Sequence, residues 1–383
     1  MGGISSRQMK SVSLGKQPGD PVLDRSSGRV LFATGPSMGV LDLRSAKVSG
    51  KVRIGRVPSD PVIDDGSGRV LVTSDKDRKL VVTDLSSLTE LGSLDLPKSP
   101  GPPTVMAAVQ TILVFTGETP DESTLYLIDA DTLTIRNEVS GLGTSFDAFL
   151  HPQRRQLYLV SHWGDLMVVL DLEPLAFAAT VEMRPGPDFV SFSKDGSKAY
   201  VKNRNYHLLE VVDLADFSVL GHLETGQYPH PPVGIDGGGK LLVSSFGDGT
   251  CRFIDTDRVE VLDTIQVADR LGRPTIDHRS GRAYMTSADG LACIDLVGRT
   301  CIGVAGNQEG GGLNLAPVLD GHGGVHCILG EELVSFDAQS LDVIERVHVG
   351  ALVCGVLWDE QTSTVVAFDR DSGTAVLVAL SKA

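Results

Sequence analysis

Two short segments carry side chains equipped for chemistry. SHWGD at 161–165 places His162, Trp163 and Asp165 in one turn, and QYPHPP at 227–232 holds His230 between prolines. An imidazole titrates near neutral pH and can act as acid, base or metal ligand. An indole in an exposed turn offers a ligand a flat platform. Around them stand further polar residues: Asp20, Asp60, Asp147, Asp188 and Arg273 at the entries to short apolar runs, and Arg204 and Tyr206 in a connection. His162, His230, Asp188 and Arg273 are the candidates for catalysis. Asp20, Asp60, Asp147, Trp163, Arg204 and Tyr206 are the candidates for ligand binding. Asp60, Asp188 and His230 could together hold Ca²⁺, Mg²⁺ or Zn²⁺, which accept carboxylate and imidazole ligands. Such a metal would polarise a carbonyl. None of these residues has a diagnostic linear spacing, so the fold must bring them together.

The other motifs carry less. His322 and His326 are spaced like a metal pair, but HGGVH falls at a strand turn, where that spacing has no helical meaning. Gly310, Gly311 and Gly312 lack the lysine and hydroxyl of a phosphate loop. The one G-x-S-x-G match, GPSMG at 35–39, falls between two short strands and not at the strand-to-helix turn of a nucleophile elbow.

The elements that position these residues are legible from a second pattern. A short apolar strand ends in Asp at Asp42, Asp84, Asp129, Asp171, Asp213, Asp255, Asp295 and Asp337, at spacings of 42, 45, 42, 42, 42, 40 and 42. A repeat of this length built of short strands is the mark of a β-propeller. Each unit reads as four strands, A to D: a Pro- or Gly-rich lead-in, strand A, a turn often carrying Ser-Gly-Arg, strand B, strand C with the periodic Asp, and strand D. Asp at the end of strand C is expected to accept backbone N–H groups two residues on and so hold the C–D turn. The glycine of Ser-Gly-Arg supplies a positive φ, and its arginine is expected to cover the sheet edge.

Nine strand-B segments give an all-β fold: a single β-propeller over 1–383 with nine four-stranded blades. The count falls to eight if the irregular third (about 100–138) or eighth (about 310–348) unit is not a blade. The last unit, 352–380, supplies only three strands, so QMKSVSL (8–14) is expected to complete it and cover its open edge.

The units resemble the YVTN-type propeller repeats, including the YncE-like group. The likeness runs through TLYLIDADTLTI (124–135), DGSKAYVKNRNYHLLEVVDL (195–214) and GRAYMTSADGLACIDL (281–296). It covers nearly the whole chain and implies the propeller fold. Its members include binding proteins and enzymes, so it implies no one function. A WD40 repeat fits less well, since Trp-Asp occurs only once, at 358–359, and the units share no consistent Gly-His start. In a propeller the D-to-A and B-to-C connections gather on one face around a central channel, and the candidate residues fall in those connections.

Bulk properties narrow the partners. The net charge is −15 and no basic run is present, which argues against nucleic acid and anionic membrane. No stretch has the roughly 20 apolar residues of a membrane span. MGGISSRQMKSVSLG at the N-terminus lacks the apolar segment of a secretory signal, so a cytoplasmic location is expected. Cys251, Cys293, Cys301, Cys327 and Cys354 are odd in number and form no CxxC pair. They read as buried thiols, with Cys293 and Cys301 able to face each other across a hairpin. The expected function is a scaffold that binds a small ligand or a protein on the loop face. The alternative is a metal-assisted, lactonase-like hydrolase or lyase at the channel mouth.

Overall fold

Turns rich in Asp, Gly and Ser cut the chain into short strands, and neighbouring strands pair as hairpins. The computed structural model describes residues 9–117, 123–140, 146–306 and 315–380. Within them lie nine four-stranded antiparallel sheets. The fold is a nine-bladed β-propeller, and the irregular third and eighth units are both true blades. Blade 1 comprises Val22–Asp24, Arg29–Thr34, Ser37–Asp42 and Lys47–Arg53 as strands A to D, and this order recurs in each blade to the eighth. Blade 9 comprises Val353–Asp359, Thr364–Asp369 and Thr374–Ala379, and Met9–Ser13 is its fourth strand, with Met9 opposite Val378. By contact density the chain divides into two units. The first is Met1–Leu142, Val318–Ser335 and Glu345–Ala383; the second is Gly143–Pro317 and Phe336–Ile344.

Burial differs by strand. Strands B and C are buried almost throughout, as in RVLFAT and SMGVLD of blade 1. Both faces of these strands are packed, so their sequences are apolar runs rather than alternations. Strand D alternates exposed and half-buried residues, as in KVSGKVR, because only one face is covered. Each core cluster draws on two adjacent blades. In the first unit Val30, Phe32 and Leu41 pack with Val366, Phe368 and Leu377. In the second, Tyr158, Met167 and Val169 pack with Val190, Val201 and Val212. Burying each large apolar side chain contributes about 1.5–3 kcal/mol.

The periodic Asp accepts the N–H two residues on at six of its eight positions, and at a seventh, Asp42, it accepts the N–H three residues on. Asp84 Oδ1 accepts the N–H of Ser86 at 3.0 Å and of Ser87 at 2.7 Å. Asp129, Asp255 and Asp337 each accept two such N–H groups, and Asp42, Asp213 and Asp295 one. The Ser86 hydroxyl first, then the Ser87 N–H, hold the Asp84 carboxyl down to about 2. Asp171 is the exception. Three residues on stands Pro174, which has no N–H to donate.

In those seven turns the residue four after Asp has a positive φ: Ala46, Leu88, Leu133, Phe217, Val259, Arg299 and Leu341. The left-handed backbone costs an L-residue about 1–2 kcal/mol. In return several of these side chains reach the preceding blade. A Cβ on Gly92 in strand D of blade 2 would stand 2.8 Å from Leu133 Cδ1, and one on Gly303 of blade 7 would stand 3.6 Å from Leu341 Cδ1.

The turn glycines Gly28, Gly68 and Gly281 have φ of 69°, 67° and 68°, as the Ser-Gly-Arg pattern requires. The arginines do something other than cover their own sheet edge. Arg29 donates to the carbonyls of Leu85 and Ser86 in the C–D turn of the next blade. Arg69 donates to Ala130 O, and Arg282 Nη1 to Ala338 O at 2.7 Å and Gln339 O at 3.1 Å. Each arginine therefore latches its blade to the following one.

The cysteines are free thiols; Cys251, Cys293 and Cys327 are buried, Cys354 is half-buried and Cys301 is exposed. A bulge in blade 7 sets Cys293 opposite Gly303 and Ile294 opposite Cys301, so the two cysteines are not cross-strand partners.

Candidate functional site

The most unusual polar cluster lies in the second unit, at the first strands of blades 4 to 6. Strand A of blade 5, Pro187–Phe192, pairs with Lys198–Asn203. Pro187 faces Asn203 and Phe189 faces Lys202, which leaves Asp188 as the extra residue of a bulge. A bulge re-aims a side chain that would otherwise alternate across the sheet. Here Lys202 Nζ donates to Asp188 Oδ2 at 2.7 Å and to Pro229 O at 3.3 Å. Lys202 is 4% exposed. Burial pushes its pKa down, against the opposing pull of Asp188. The other oxygen, Asp188 Oδ1, is buried and has no hydrogen-bond partner among the described residues.

Two flanking residues, His230 and Asp147, share this environment. His230 is buried and its Nε2 lies 2.8 Å from Leu271 O. A carbonyl only accepts, so Nε2 carries the proton and Nδ1 is the acceptor of the neutral ring. Burial lowers the His230 pKa; the hydrogen bond to Leu271 opposes this, and the charges of Arg273, Lys202 and Arg204 add to it. Asp147, in strand A of blade 4 (Phe146–Leu150), is exposed by surface area. Protein around its carboxyl nevertheless raises its pKa by desolvation, and the charge of Asp188 raises it further. His162 and Lys202 act on it in the opposite sense. Asp188, His230, Arg273, Asp147, His162 and Arg204 thus belong to one electrostatic neighbourhood.

Trp163 sits at the tip of the blade 4 B–C turn and is 73% exposed, with its ring edge-on to His162 at 4.8 Å. It does not cover the blade beneath. Tyr206, in the corresponding turn of blade 5, is exposed and lies under the Arg184 guanidinium at 5.8 Å.

The first unit holds the remaining two candidates. Asp60 Oδ1 accepts the Asp20 N–H at 2.8 Å, and the Asp20 carboxylate takes Arg370 at 2.5 Å. Burial, then the charge of Asp20, raises the Asp60 pKa. Asp60 therefore lies in a different unit from Asp188 and His230. Among the described residues no three of His, Cys, Asp and Glu gather closely enough to hold a metal ion.

Two polar groups escaped the sequence reading. Lys202 sits in AYVKN, where it reads as an ordinary polar residue of a strand; its only signal is a cation in a row otherwise buried and apolar. The second is a buried chain of Asp320, His326 and Ser335. His326 Nδ1 lies 2.8 Å from Ser335 Oγ, its Nε2 3.3 Å from Asp320 Oδ2, and its ring stacks on Trp358. These residue types can form a nucleophilic triad, but here all three are buried and both His326 nitrogens are spent on Ser335 and Asp320. Their role is to satisfy one another inside the fold. His326 belongs to strand B of blade 8, beyond the turn that holds His322.

Comparison with known proteins agrees on the fold. The chain is similar to the dihydro-heme d1 dehydrogenase NirN in complex with DHE, with a TM-score of 0.61, 16% identity, and coverage of 89% of this chain and 78% of that one. It is also similar to BamB from Moraxella catarrhalis, with a TM-score of 0.54, 12% identity, and coverage of 98% of this chain and 100% of that one. At such identities the likeness is one of fold. No protein-family model and no curated protein matches the sequence. No helix among the described residues is long and apolar enough to cross a membrane.

Proposed function

We propose that this propeller is a binding protein that takes a small polar ligand at the first strands of blades 4 to 6. One observation carries the reading: a buried carboxylate oxygen, Asp188 Oδ1, has no donor among the described residues. A buried acceptor left unmade costs about 1–3 kcal/mol. A hydroxyl or ammonium from a ligand would complete it. The bulge that turns Asp188 toward Lys202 interrupts the strand pairing at this spot, and bulges favour such sites. Arg204, Arg273 and His162 in the surrounding connections, with the Trp163 ring nearby, supply further contacts of the kind ligand pockets use. The YVTN-like repeat is compatible with the reading, since that group includes binding proteins.

The test is a ligand screen by saturation-transfer NMR, run on the wild-type chain and on an Asp188→Leu/Lys202→Met double variant. Replacing both partners removes the site without stranding a buried charge. Hits of the wild type that the double variant loses support the reading. If the folded double variant retains every hit, the site lies elsewhere.

A further inference from the structure

Within the second unit the residues that open four consecutive blades run in a chemical order. Asp147 and Asp188 lie in the first strands of blades 4 and 5, and His230 and Arg273 lie just before the first strands of blades 6 and 7, Val233–Ile235 and Thr275–Asp277. The sequence passes from two acids through a neutral imidazole to a guanidinium. Arg204, in the B–C turn of blade 5, adds a second guanidinium. Among the described residues neither the Arg204 nor the Arg273 guanidinium stands in an ion pair, although both act on Lys202 and His230. Lys202 is committed to Asp188 and to Pro229 O. The acid side therefore offers an acceptor without a donor, and the basic side offers donors without an anion.

We infer that the ligand of this site is a small zwitterion, whose ammonium meets Asp188 and Asp147 and whose carboxylate meets Arg273 and Arg204. This inference rests on the proposed binding function and narrows it. A ligand with a single positive charge would leave two guanidiniums unanswered. One with a single negative charge would add an anion beside Asp188 and leave its free oxygen without a donor. A planar guanidinium pairs with a carboxylate through two parallel hydrogen bonds, which fixes the ligand's direction across the blades.

The experiment measures binding of glycine, 4-aminobutyrate and 6-aminohexanoate by NMR titration, with hexanoate and hexylamine as single-charge controls. At least one zwitterion is expected to bind tenfold or more tightly than either control. Arg273→Gln should reduce that affinity at least tenfold while leaving hexylamine unchanged. Equal binding of a control and the best zwitterion overturns the zwitterion and leaves the site standing, provided the Asp188→Leu/Lys202→Met variant loses that binding. An Arg273→Gln variant with unaltered zwitterion affinity also overturns it. If no probe of the series perturbs the site, the inference falls; the broader ligand screen then decides separately on the binding function.

Discussion

The two ends of each blade obey different rules. At the A–B and C–D end the same solution recurs: an Asp that gathers turn N–H groups, a left-handed residue four positions later, and an arginine that reaches the next blade's carbonyls. The turn carboxylates and arginines there are answered by backbone groups of the repeat. At the opposite end the repeat breaks, and in blades 4 to 6 it leaves a bulged Asp188, a buried Lys202 and a buried neutral His230. The contrast teaches that repetition here is architecture, and that chemistry is found where one blade departs from its siblings.

The largest expected effect lies at the exceptional end. Asp188→Ala strands Lys202 as a buried cation and should cost about 3 kcal/mol in urea unfolding. The Asp188→Leu/Lys202→Met pair should restore more than half of that loss. If it does not, packing rather than charge governs this spot. At the regular end, Arg282→Ala removes two hydrogen bonds to the next blade and should cost about 2 kcal/mol. A loss as large as that of Asp188→Ala would erase the distinction between the ends.

A pH effect sharpens the comparison further. Burial lowers the pKa of His230 and of His151 below the ordinary 6.5. The unfolded chain therefore takes up protons in a range where the folded chain does not. Stability should fall as pH drops from 6.5 toward the folded-state pKa values, and remain intact above 6.5. Glutamine can keep the donor to Leu271 O without titrating, so His230→Gln should flatten this decline in urea midpoints measured between about pH 5 and 7. An unchanged slope would mean that His230 does not resist protonation.

Smaller effects belong to single turns. Asp337→Ala loses two turn N–H bonds and should cost about 1 kcal/mol. Asp171→Ala, in the turn that carries Pro174, should cost less; equal losses would deny the Asp its turn-holding role. Asp147→Asn removes a carboxylate that its surroundings and Asp188 disfavour, so a slight rise in melting temperature at neutral pH is expected.

These differences explain what the sequence could disclose. The periodic Asp announced the blades because one backbone demand is met the same way seven times. Blade 8 was legible through Asp337 in spite of its irregular start. The pairing of Met9–Ser13 with the last blade followed from counting strands. The bulge at Asp188 left no trace, because an extra residue in one strand changes register without changing composition. Lys202 stayed hidden for a related reason: alternation permits a polar residue there, and only the packing of both faces of strand B makes it costly. The arginine latches were read as edge covers because their acceptors lie 50 or more positions away in the chain. Trp163 was visible by its rarity, but its 73% exposure was not.

The pairing of Met9 with Val378 also sets an order of events. During synthesis the ninth blade follows the other eight, yet its outer strand precedes them all. Until the two meet, Thr374–Ala379 presents bare backbone donors and acceptors to any passing strand. Contacts between such distant positions form late, because loop closure must be met before they contribute. Until that closure the chain is therefore open to mispairing with a second copy of itself along this strand.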